Sequence, residues 1–443
     1  MSQAFSGGIA FGHAVEQKQL TSGLPIENFV PKSVVIPLRQ GLGAACMPVV
    51  EAGQTVAVGQ LVGRHPEDKA PPIHCGVSGR VTAVEERPVV GGKTLCVVVD
   101  NDGSDTPAPP LAHDSSPAGI RQLMWDAGLI GMGGAGFPTA FKYRTDKPIR
   151  RVLINGCECE PYLTCDHALM LYEADLVVSG AAAMALAAGV QPGDVTICVE
   201  DNKADAGARL ELAARPAGVQ VKILPTRYPQ GGERQLIATM TGCEVPVGGL
   251  PADVGVLVSN AATAAALGSA LRGHPLTHRI LTVSGLVKRP ANLRVPIGTR
   301  FDEILAHCGG VSVQPDSPVP LVWIAGGPMT GAAIQQTDVP VSKTTAGLVV
   351  LEHPDRTEQN CIRCGGCVRA CPSRLMPFAI DAAVIAGNLP LCASYTAQQC
   401  ISCGCCSYIC PAKRFLATRV TLARNTLRKK WYKNGFAKGK VCV

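Results

Sequence analysis

The sequence predicts a multidomain α/β protein with a separate, cysteine-rich C-terminal domain. At 443 residues the chain is longer than one hydrophobic core ordinarily supports, so we expect two to four domains. Between residues 150 and 260, short apolar runs alternate with helix-like segments, which is typical of a mainly parallel sheet covered by helices. Beyond residue 355, eight cysteines fall in two similar runs.

Four apolar runs define the predicted sheet. They are Arg151 to Asn155, Val195 to Glu200, Val219 to Leu224 and Gly255 to Asn260. We expect a long helix from Asp166 to Gly189, another between the second and third strands, and a third in GGERQLIATMTG. Ligands bind at the carboxyl ends of parallel strands, and Asn155, Glu200 and Asn260 occupy three such ends.

A glycine-rich loop, GLIGMGGAGFPTAFKY, precedes this sheet. Gly131, Gly133 and Gly136 fit the dinucleotide-binding pattern G-x-G-x-x-G. However, a helix-like segment, AGIRQLMWDAG, stands where a Rossmann fold has a strand, and a proline follows the loop almost at once. The loop still offers bare backbone amides to a phosphate, with Lys142 to add positive charge. A glycine turn without chemical importance is the alternative.

The segment NGCECEPYLTCD, from Asn155 to Asp166, carries three cysteines and three carboxylates. Such a cluster is compatible with a metal site, and equally with the wall of a ligand pocket. Because the segment follows directly from a predicted strand end near the glycine loop, we interpret it as a pocket wall.

The two C-terminal cysteine runs each fit C-x2-C-x2-C-x3-C-P, the ligand pattern of two-cluster ferredoxins. The predicted ligands are Cys361, Cys364, Cys367, Cys371, Cys400, Cys403, Cys406 and Cys410. In this pattern, three thiolates of one run and the fourth of the other hold each [4Fe-4S] cluster. Zinc also uses C-x2-C pairs, but duplicated four-cysteine runs ending in Cys-Pro favour two clusters that relay electrons. Cys405 is interpreted as a spare thiol, and PFAIDAAVIAG between the runs as a helix.

Net charge is +7, and ten Lys or Arg without any acid lie between residues 411 and 443. Such a tail is typical of contact with an acidic partner or an anionic membrane, and a merely solvated tail is the alternative. The N-terminus lacks a signal-peptide pattern, and no apolar run reaches the roughly 18 to 20 residues of a membrane span. Twenty cysteines without a secretory signal indicate a reducing compartment.

Four features together resemble the C subunit of the Rnf electron-transport complex: GMGGAGFPTAFK, NGCECEPY, EDNK and the doubled cysteine run. Related sequences occur in the flavin subunit of respiratory complex I and in a cobalamin reductase. The resemblance implies these parts: a barrel-sandwich (lipoyl-like) β domain at 30–101, a linker at 102–119, a Rossmann-like α/β domain for FMN and NADH at 120–273, a β-grasp (soluble ligand-binding) domain at 279–315, a ferredoxin-like domain with two [4Fe-4S] clusters at 355–415, and a basic tail at 416–443. The hairpin segment PIHCGVSGRV has no lysine, so we expect no lipoyl attachment.

The resemblance also implies the cofactor-binding residues. They are Gly131, Gly133, Gly134, Gly136, Phe137, Lys142, Asn155, Glu158, Glu160, Glu233 and Asn260. By this likeness the glycines and Lys142 hold the flavin phosphate region, and Phe137 lies near the nicotinamide or adenine. Asn155, Glu158 and Asn260 face the FMN, whereas Glu160 and Glu233 contact the NADH. No residue needs to act as a catalytic acid or base. Met132 and Cys157 depart from the complex I pattern, which has Arg and an acid there.

The function that the resemblance implies is reversible NADH:ferredoxin oxidoreduction coupled to ion movement. NADH would be oxidised through FMN and two [4Fe-4S] clusters, and the electrons passed to integral-membrane and other Rnf subunits, with ferredoxin reached through the complex. The chain would be peripheral, at the cytoplasmic face of the inner (cell) membrane. One alternative is a cobalamin reductase, in which the barrel-sandwich segment lies toward the C-terminus. Another is a non-enzymatic iron-sulfur carrier or nucleic-acid binder. The tail lacks a stacked-aromatic pattern, so we expect no nucleic acid.

Overall fold

A computed structural model describes residues 5–313, 320–354 and 357–433, with the backbone alone for 430–433. The chain divides into two compact units. The first, which we call the cysteine unit, comprises Met1–Val15, Thr226–Val254 and His353–Val443. The second, the sheet unit, comprises Glu16–Pro225 and Gly255–Glu352. Each unit is described by itself below.

The secondary structure is mixed. The strands are β1 (Ile26–Asn28), β2 (Ser33–Pro37), β3 (Met47–Pro48), β4 (Thr55–Val56), β5 (Leu61–Arg64), β6 (Ile73–His74), β7 (Gly79–Val89), β8 (Gly92–Asn101), β9 (Arg151–Gly156), β10 (Val195–Glu200), β11 (Gln220–Leu224), β12 (Val256–Asn260), β13 (His278–Gly285), β14 (Ala291–Pro296), β15 (Leu321–Ala325), β16 (Ala332–Ile334) and β17 (Gly347–Glu352). The helices are α1 (His13–Glu16), α2 (Pro117–Asp126), α3 (Thr139–Tyr143), α4 (Cys165–Tyr172), α5 (Ala174–Ala188), α6 (Ala204–Ala214), α7 (Glu233–Thr241), α8 (Ala261–Ala270), α9 (Phe301–His307), α10 (Gly366–Arg369), α11 (Pro377–Ile385), α12 (Leu389–Ser394), α13 (Cys405–Tyr408) and α14 (Leu416–Lys433).

A four-stranded parallel sheet, ordered β11-β10-β9-β12, lies at the centre of the sheet unit. Strands β9, β10 and β12 are largely buried on both faces and rich in Val, Ile and Leu, as parallel strands covered by helices require, whereas the edge strand β11 is mostly exposed. The predicted parallel sheet is therefore confirmed, and β9 is one of its two central strands. The segment before the glycine loop is the helix α2, as predicted, with Ser116 accepting a bond from Gly119 N at its N-cap.

The predicted single helix from Asp166 to Gly189 is wrong. Two helices, α4 and α5, meet there at a bend of 92°. The break lies at Glu173, whose backbone leaves the helical region (φ −128°, ψ 33°). The Glu173 carboxylate pairs with Arg294 of β14, a contact distant in sequence, so local periodicity could not reveal the break.

Helices α5 and α8 pack closely because both carry glycine at the contact. A Cβ built on Gly180 would lie 1.8 Å from the carbonyl oxygen of Ala264, and one on Gly268 would lie 2.2 Å from that of Leu176. In the part of the chain that the structure describes, no single helix is long and apolar enough to cross a membrane. The α4 and α5 pair passes that test only when both are counted together across their bend.

Two antiparallel sheets near the N-terminus, β2-β8-β7-β4 and β3-β5-β6, enclose a common apolar core. Its members include Val34, Ile36, Leu38, Val62, Val81 and Val97. Gly63 leaves room for this core, since a Cβ there would lie 2.6 Å from Leu38 Cδ2 and the leucine side chain would have to move. These two small sheets form the β sandwich that the sequence predicted for this region.

A six-stranded mixed sheet, β1-β14-β13-β17-β15-β16, completes the sheet unit. Helix α9 covers it through Phe301 and Ile304, which join a core with Leu281, Val283 and Val350. The sheet runs on to Glu352, past the predicted β-grasp range of 279–315, of which residues 314 and 315 lie outside the described part of the chain.

The cysteine unit consists of short helices around two clefts. Helix α11 confirms the helix predicted between the cysteine runs. Its Asp381 accepts bonds from Arg414 (2.6 and 2.8 Å) and Arg419 (3.0 Å), and Arg419 also donates to Glu358 (2.5 and 2.8 Å). This network ties three separate segments together. The predicted basic tail begins as the helix α14, and its last part, residues 434–443, lies outside the described residues.

The α5–α8 contact predicts the first mutational result. Gly180→Ala should destabilise the sheet unit by about 1–3 kcal/mol, because the new methyl group must push the helices apart. Gly193→Ala is the matched control, since a Cβ there would meet no described atom within 4 Å and its φ is ordinary. Circular-dichroism melting should show a Tm lowered by several degrees for Gly180→Ala alone. Equal melting curves would contradict the close helix contact.

Candidate functional site

Three predicted strand-end residues lie at one edge of the parallel sheet. Asn260 is paired in register with Asn155, and Glu200 ends the neighbouring strand β10. Asn155 Oδ1 accepts a bond from Cys157 N at 3.0 Å, which turns the chain after β9. Glu200 is buried and pairs at 3.0 Å with the equally buried Lys203. Burial disfavours the Lys203 ammonium, but the negative charges of Glu200 and Glu158, together with the hydrogen bond to Glu200, raise the Lys203 pKa.

The segment after β9 is held by its own carboxylate against the helix that follows. Glu158 accepts bonds from the backbone N–H of Asp166 (2.8 Å) and His167 (3.1 Å), at the N-terminus of α4. A carboxylate at a helix N-terminus satisfies amides that otherwise lack partners. Ligand atoms of Glu158, Cys165 and Asp166 lie within 4.8 Å of one another, so a metal is geometrically conceivable. Both Glu158 oxygens already serve the helix, however, which favours our prediction of a pocket wall.

Lys18 holds this segment in place through its backbone carbonyls. Its Nζ donates to the carbonyl oxygens of Glu158 (2.8 Å), Glu160 (2.8 Å) and Leu163 (2.5 Å). The side chain is buried, and this burial together with the nearby Lys203 ammonium lowers the Lys18 pKa. Three carbonyls that converge on one buried ammonium define the path of the chain from residue 158 to 163.

Glu160 is turned toward a loop of the six-stranded sheet. Its carboxylate accepts a bond from Met329 N at 3.0 Å and another from the Thr330 hydroxyl. The loop can approach because it has glycine at position 327, where a Cβ would lie 2.3 Å from Glu160 Oε2. Burial raises the pKa of the Glu160 carboxyl. The predicted NADH contact of Glu160 stays a prediction, with this loop as its neighbour.

Asp166 and Asn260 join the strand end to the glycine loop. Asn260 Nδ2 donates to Asp166 Oδ2 at 2.7 Å, and Asn260 Oδ1 caps α8 by accepting from Ala262 N. Asp166 Oδ1 is buried and has no hydrogen-bond partner among the described residues. Burial and the neighbouring Glu158 raise the Asp166 pKa. A Cβ built on Gly133 would lie 2.8 Å from Asn260 Nδ2, so glycine lets the loop reach this point.

The glycine loop is anchored at its ends and exposed in the middle. Gly131 N donates to Phe137 O at 2.9 Å and Met132 N to Thr263 Oγ1 at 3.1 Å, whereas residues 133–135 are exposed. A Cβ on Gly134 would meet no described atom within 4 Å. The loop therefore presents accessible backbone amides, and the unsatisfied Asp166 oxygen supplies a polar group beside it. An exposed glycine-rich backbone of this kind fits a ligand that carries a phosphate.

The β sandwich supports this loop from the other side. Leu42 N donates to the carbonyl oxygens of Ala135 (3.1 Å) and Gly136 (3.2 Å). Lys343 is fully buried and donates to Pro72 O (3.0 Å) in the sandwich and to Gly128 O (2.8 Å) just before the loop. Burial lowers the pKa of Lys343 to about 8. Contacts between remote segments thus fix both ends of the loop.

The remaining predicted cofactor residues are distributed as follows. Lys142 lies on α3, half-buried, and donates to Val258 O at 2.8 Å, which places it beside β12. Phe137 is 43% exposed at the end of the glycine loop. Glu233 is exposed at the start of α7, in the cysteine unit, so its nucleotide contact stays a prediction.

The eight predicted cluster ligands line two clefts in the cysteine unit. The first cleft is lined by three cysteines of the first run and the last of the second: Cys361, Cys364, Cys367 and Cys410. The second cleft is lined by the complementary set, with the additional thiol of Cys405: Cys371, Cys400, Cys403 and Cys406. The crossed grouping is the one that the ferredoxin pattern implies.

The two runs adopt the same local backbone. Arg363 and Ser402 each lie two residues after the first cysteine of their run, and both have positive φ (54° and 58°). Their amides donate to Cys361 Sγ (3.4 Å) and Cys400 Sγ (3.3 Å). Amides that point at cysteine sulfur are how proteins stabilise and tune iron-sulfur clusters. Four thiols with such donors in each cleft fit a [4Fe-4S] cluster.

Sequence reasoning missed three residues that shape the candidate flavin site: Lys18, Thr330 and Lys343. The glycine-rich stretch AGGPMTG around Thr330 is the signal that could have drawn attention to its loop. The buried lysines carry no such signal, because only long-range contacts distinguish them from solvated ones.

Three parts of the chain match known protein families. Residues 3–104 match the RnfC barrel sandwich hybrid domain, residues 124–269 the Nuo51 FMN-binding domain, and residues 280–333 the SLBB domain. A solved chain of an NAD⁺-reducing [NiFe]-hydrogenase aligns with a TM-score of 0.51 and 18% identity, covering 74% of this chain and 70% of that one. That alignment shows a shared fold.

Curated relatives extend over most of the chain. It is 42% identical to the C subunit of the Na⁺-translocating ferredoxin:NAD⁺ oxidoreductase complex of Acetobacterium woodii, covering 96% of this chain and 97% of the relative. It is 41% identical to the C subunit of the ion-translocating oxidoreductase complex of Rhodobacter capsulatus (87% and 76%). It is 39% identical to the C subunit of the proton-translocating ferredoxin:NAD⁺ oxidoreductase complex of Clostridium ljungdahlii (85% and 83%). The predicted resemblance is confirmed: the chain belongs to the RnfC family, the C subunits of ion-translocating oxidoreductase complexes.

Proposed function

We propose that the chain is the NADH-oxidising subunit of an ion-translocating NADH:ferredoxin oxidoreductase that works in both directions. It would bind FMN and NADH in the sheet unit and two [4Fe-4S] clusters in the cysteine unit. The observation that carries this proposal is the crossed grouping of cysteines into two four-thiol clefts. Two neighbouring clusters suit electron relay better than a purely structural role.

The glycine loop and the sheet edge would hold the FMN. Backbone amides of Gly133 and Gly134 and the ammonium of Lys142 would bind the phosphate region. Asn155 and Asn260 would lie beside the ring system, and Glu158 would keep that edge in place by capping α4. Bound FMN supplies hydride acceptance and one-electron release, which no side chain of the chain provides.

The protein's own contribution is to position NADH and to exclude water. Glu160, fixed by Met329 N and Thr330, would meet the nicotinamide or ribose end, and Phe137 would stack beside it. Glu233 is a second candidate contact. No side chain is assigned a catalytic proton transfer.

The partners would be the integral-membrane and other subunits of the complex, with ferredoxin reached through them. The relatives' names, each a C subunit of a multi-subunit complex, support this. We propose a peripheral position at the cytoplasmic face of the cell membrane. The basic segment that begins with α14 would contact an acidic subunit or the anionic membrane surface.

Lys142→Ala tests the flavin assignment. FMN affinity, measured by quenching of flavin fluorescence, should fall by about tenfold or more, because a hydrogen bond to a charged group contributes about 1.5–3 kcal/mol. The iron content should not change. Lys147→Ala, at an exposed lysine of the same unit, is the control. If Lys142→Ala retains FMN and NADH oxidation like the unaltered chain, the phosphate assignment is wrong.

Cys410→Ser tests the crossed cluster ligands. It should remove the cluster held by Cys361, Cys364 and Cys367, although Cys410 belongs to the other run. Iron should fall by about half, and one of two reduced-cluster EPR signals should disappear. Cys371→Ser should remove the other signal, and Cys392→Ser, at a buried cysteine outside both clefts, should remove neither. Loss of the same signal in the Cys410 and Cys400 variants would refute the crossing.

A further inference from the structure

The cysteines of the two clefts differ in exposure. In the first cleft Cys361 and Cys364 are exposed and Cys367 is buried, whereas in the second no ligand is exposed: Cys371 and Cys406 are buried, and Cys400 and Cys403 are half-buried. The backbone of the second run is also contacted by other segments. The Tyr228 hydroxyl donates to Cys403 O (2.7 Å), and Arg424 of α14 donates to Cys400 O (3.1 Å). The exposed predicted ligands therefore belong to the first cleft.

Apolar side chains surround the exposed cleft. Ile362, between the first two ligands, is 69% exposed and lines the cleft, and Ile409, beside Cys410, is 43% exposed. A Cβ built on Gly366 would lie 4.0 Å from the Ile409 side chain and 3.6 Å from Cys364 Sγ, so Ile409 lies close to a cysteine of the first cleft. Large exposed apolar side chains beside a reactive group are typical of an interaction surface.

The segment that carries the two cysteine runs is basic. Between residues 357 and 433 the chain has eleven Lys or Arg and only two acids, Glu358 and Asp381. Both acids form ion pairs with Arg414 or Arg419. Arg363 lines the cleft and is exposed, and it forms no ion pair with any residue that the structure describes. Arg369 is also exposed, and it donates to Cys364 O at 3.1 Å. An apolar centre with a basic rim complements an acidic protein.

We propose that the surface formed by Ile362, Arg363, Arg369 and Ile409 docks an acidic one-electron carrier protein, with the first cleft as the exit site. The inference rests on the proposed function, since it requires a cluster at Cys361, Cys364, Cys367 and Cys410. In the exchange one electron passes between that cluster and the redox centre of the carrier. One is oxidised and the other reduced, and no bond forms or breaks. An acidic redox protein is favoured over an anionic membrane as the partner, because only a redox protein would exchange electrons with a cluster at these exposed cysteines.

The experiment uses the full chain loaded with iron, sulfide and FMN. A small acidic two-cluster ferredoxin, reduced, is the probe, and freeze-quench EPR follows electron arrival at the chain's clusters. Arg363→Glu should slow this second-order rate by about tenfold at low salt, because steering by surface charge raises association rates by at least that factor. The difference should shrink above about 0.5 M salt. Ile362→Ser should slow the rate at every salt concentration.

Two controls isolate docking. Arg209→Glu makes the same change of net charge at an exposed position of the sheet unit and should leave the rate within about twofold. Reduction by photoreduced deazariboflavin, an uncharged small molecule, should be unchanged in Arg363→Glu, as should the EPR spectra and midpoint potentials of the clusters. Equal slowing by Arg209→Glu and Arg363→Glu would overturn the proposal, because only overall charge would then matter.

Two further outcomes are decisive. If Arg363→Glu abolishes binding to phosphatidylglycerol vesicles but leaves the ferredoxin rate unchanged, the surface serves a membrane and the proposal is wrong. If the unaltered chain assembles no clusters, the proposed function fails and the docking surface with it. The clusters could instead accept electrons from NADH while neither Arg363→Glu nor Ile362→Ser changes the rate of electron transfer from ferredoxin. That result would overturn the docking proposal alone and leave the proposed function standing.

Discussion

The buried ammonium of Lys18 is the interaction on which the candidate flavin site depends. It collects the carbonyl oxygens of Glu158, Glu160 and Leu163, and so fixes the segment that follows β9. With that path set, the Glu158 carboxylate meets the α4 amides and Glu160 meets the loop at Thr330. Two of the three acids in this segment, Glu158 and Glu160, are thus held by backbone amides, which favours the interpretation of the segment as a pocket wall.

In the cysteine unit, a repeated sequence pattern sets the arrangement of the cysteines. Two runs of one pattern take the same backbone path, and each sends its last cysteine to the cleft of the other. Removing one run would therefore damage both clefts. The clefts nevertheless differ in the exposure of their cysteines, and the Tyr228 hydroxyl and Arg424 of α14 donate to backbone carbonyls of the second run. Two runs of nearly the same pattern thus end in unequal surroundings.

Much of this could be predicted from local pattern. The parallel strands, the helix before the glycine loop and the helix between the cysteine runs follow from periodicity, and the crossed cysteine sets follow from spacing. The bend at Glu173 could not be predicted, because its cause is Arg294, more than a hundred residues away. Lys18 and Lys343 were missed for the same reason: a lysine is buried only when distant carbonyls converge on it.

The central claim is that electrons pass from NADH through FMN to the two clusters of one chain. The most direct test reconstitutes the purified chain anaerobically with iron, sulfide and FMN, adds NADH, and follows flavin absorbance together with reduced-cluster EPR. We expect the flavin to bleach first and both cluster signals to appear afterwards. Intact clusters and bound flavin that do not respond to NADH would contradict this claim and leave the chain an electron carrier.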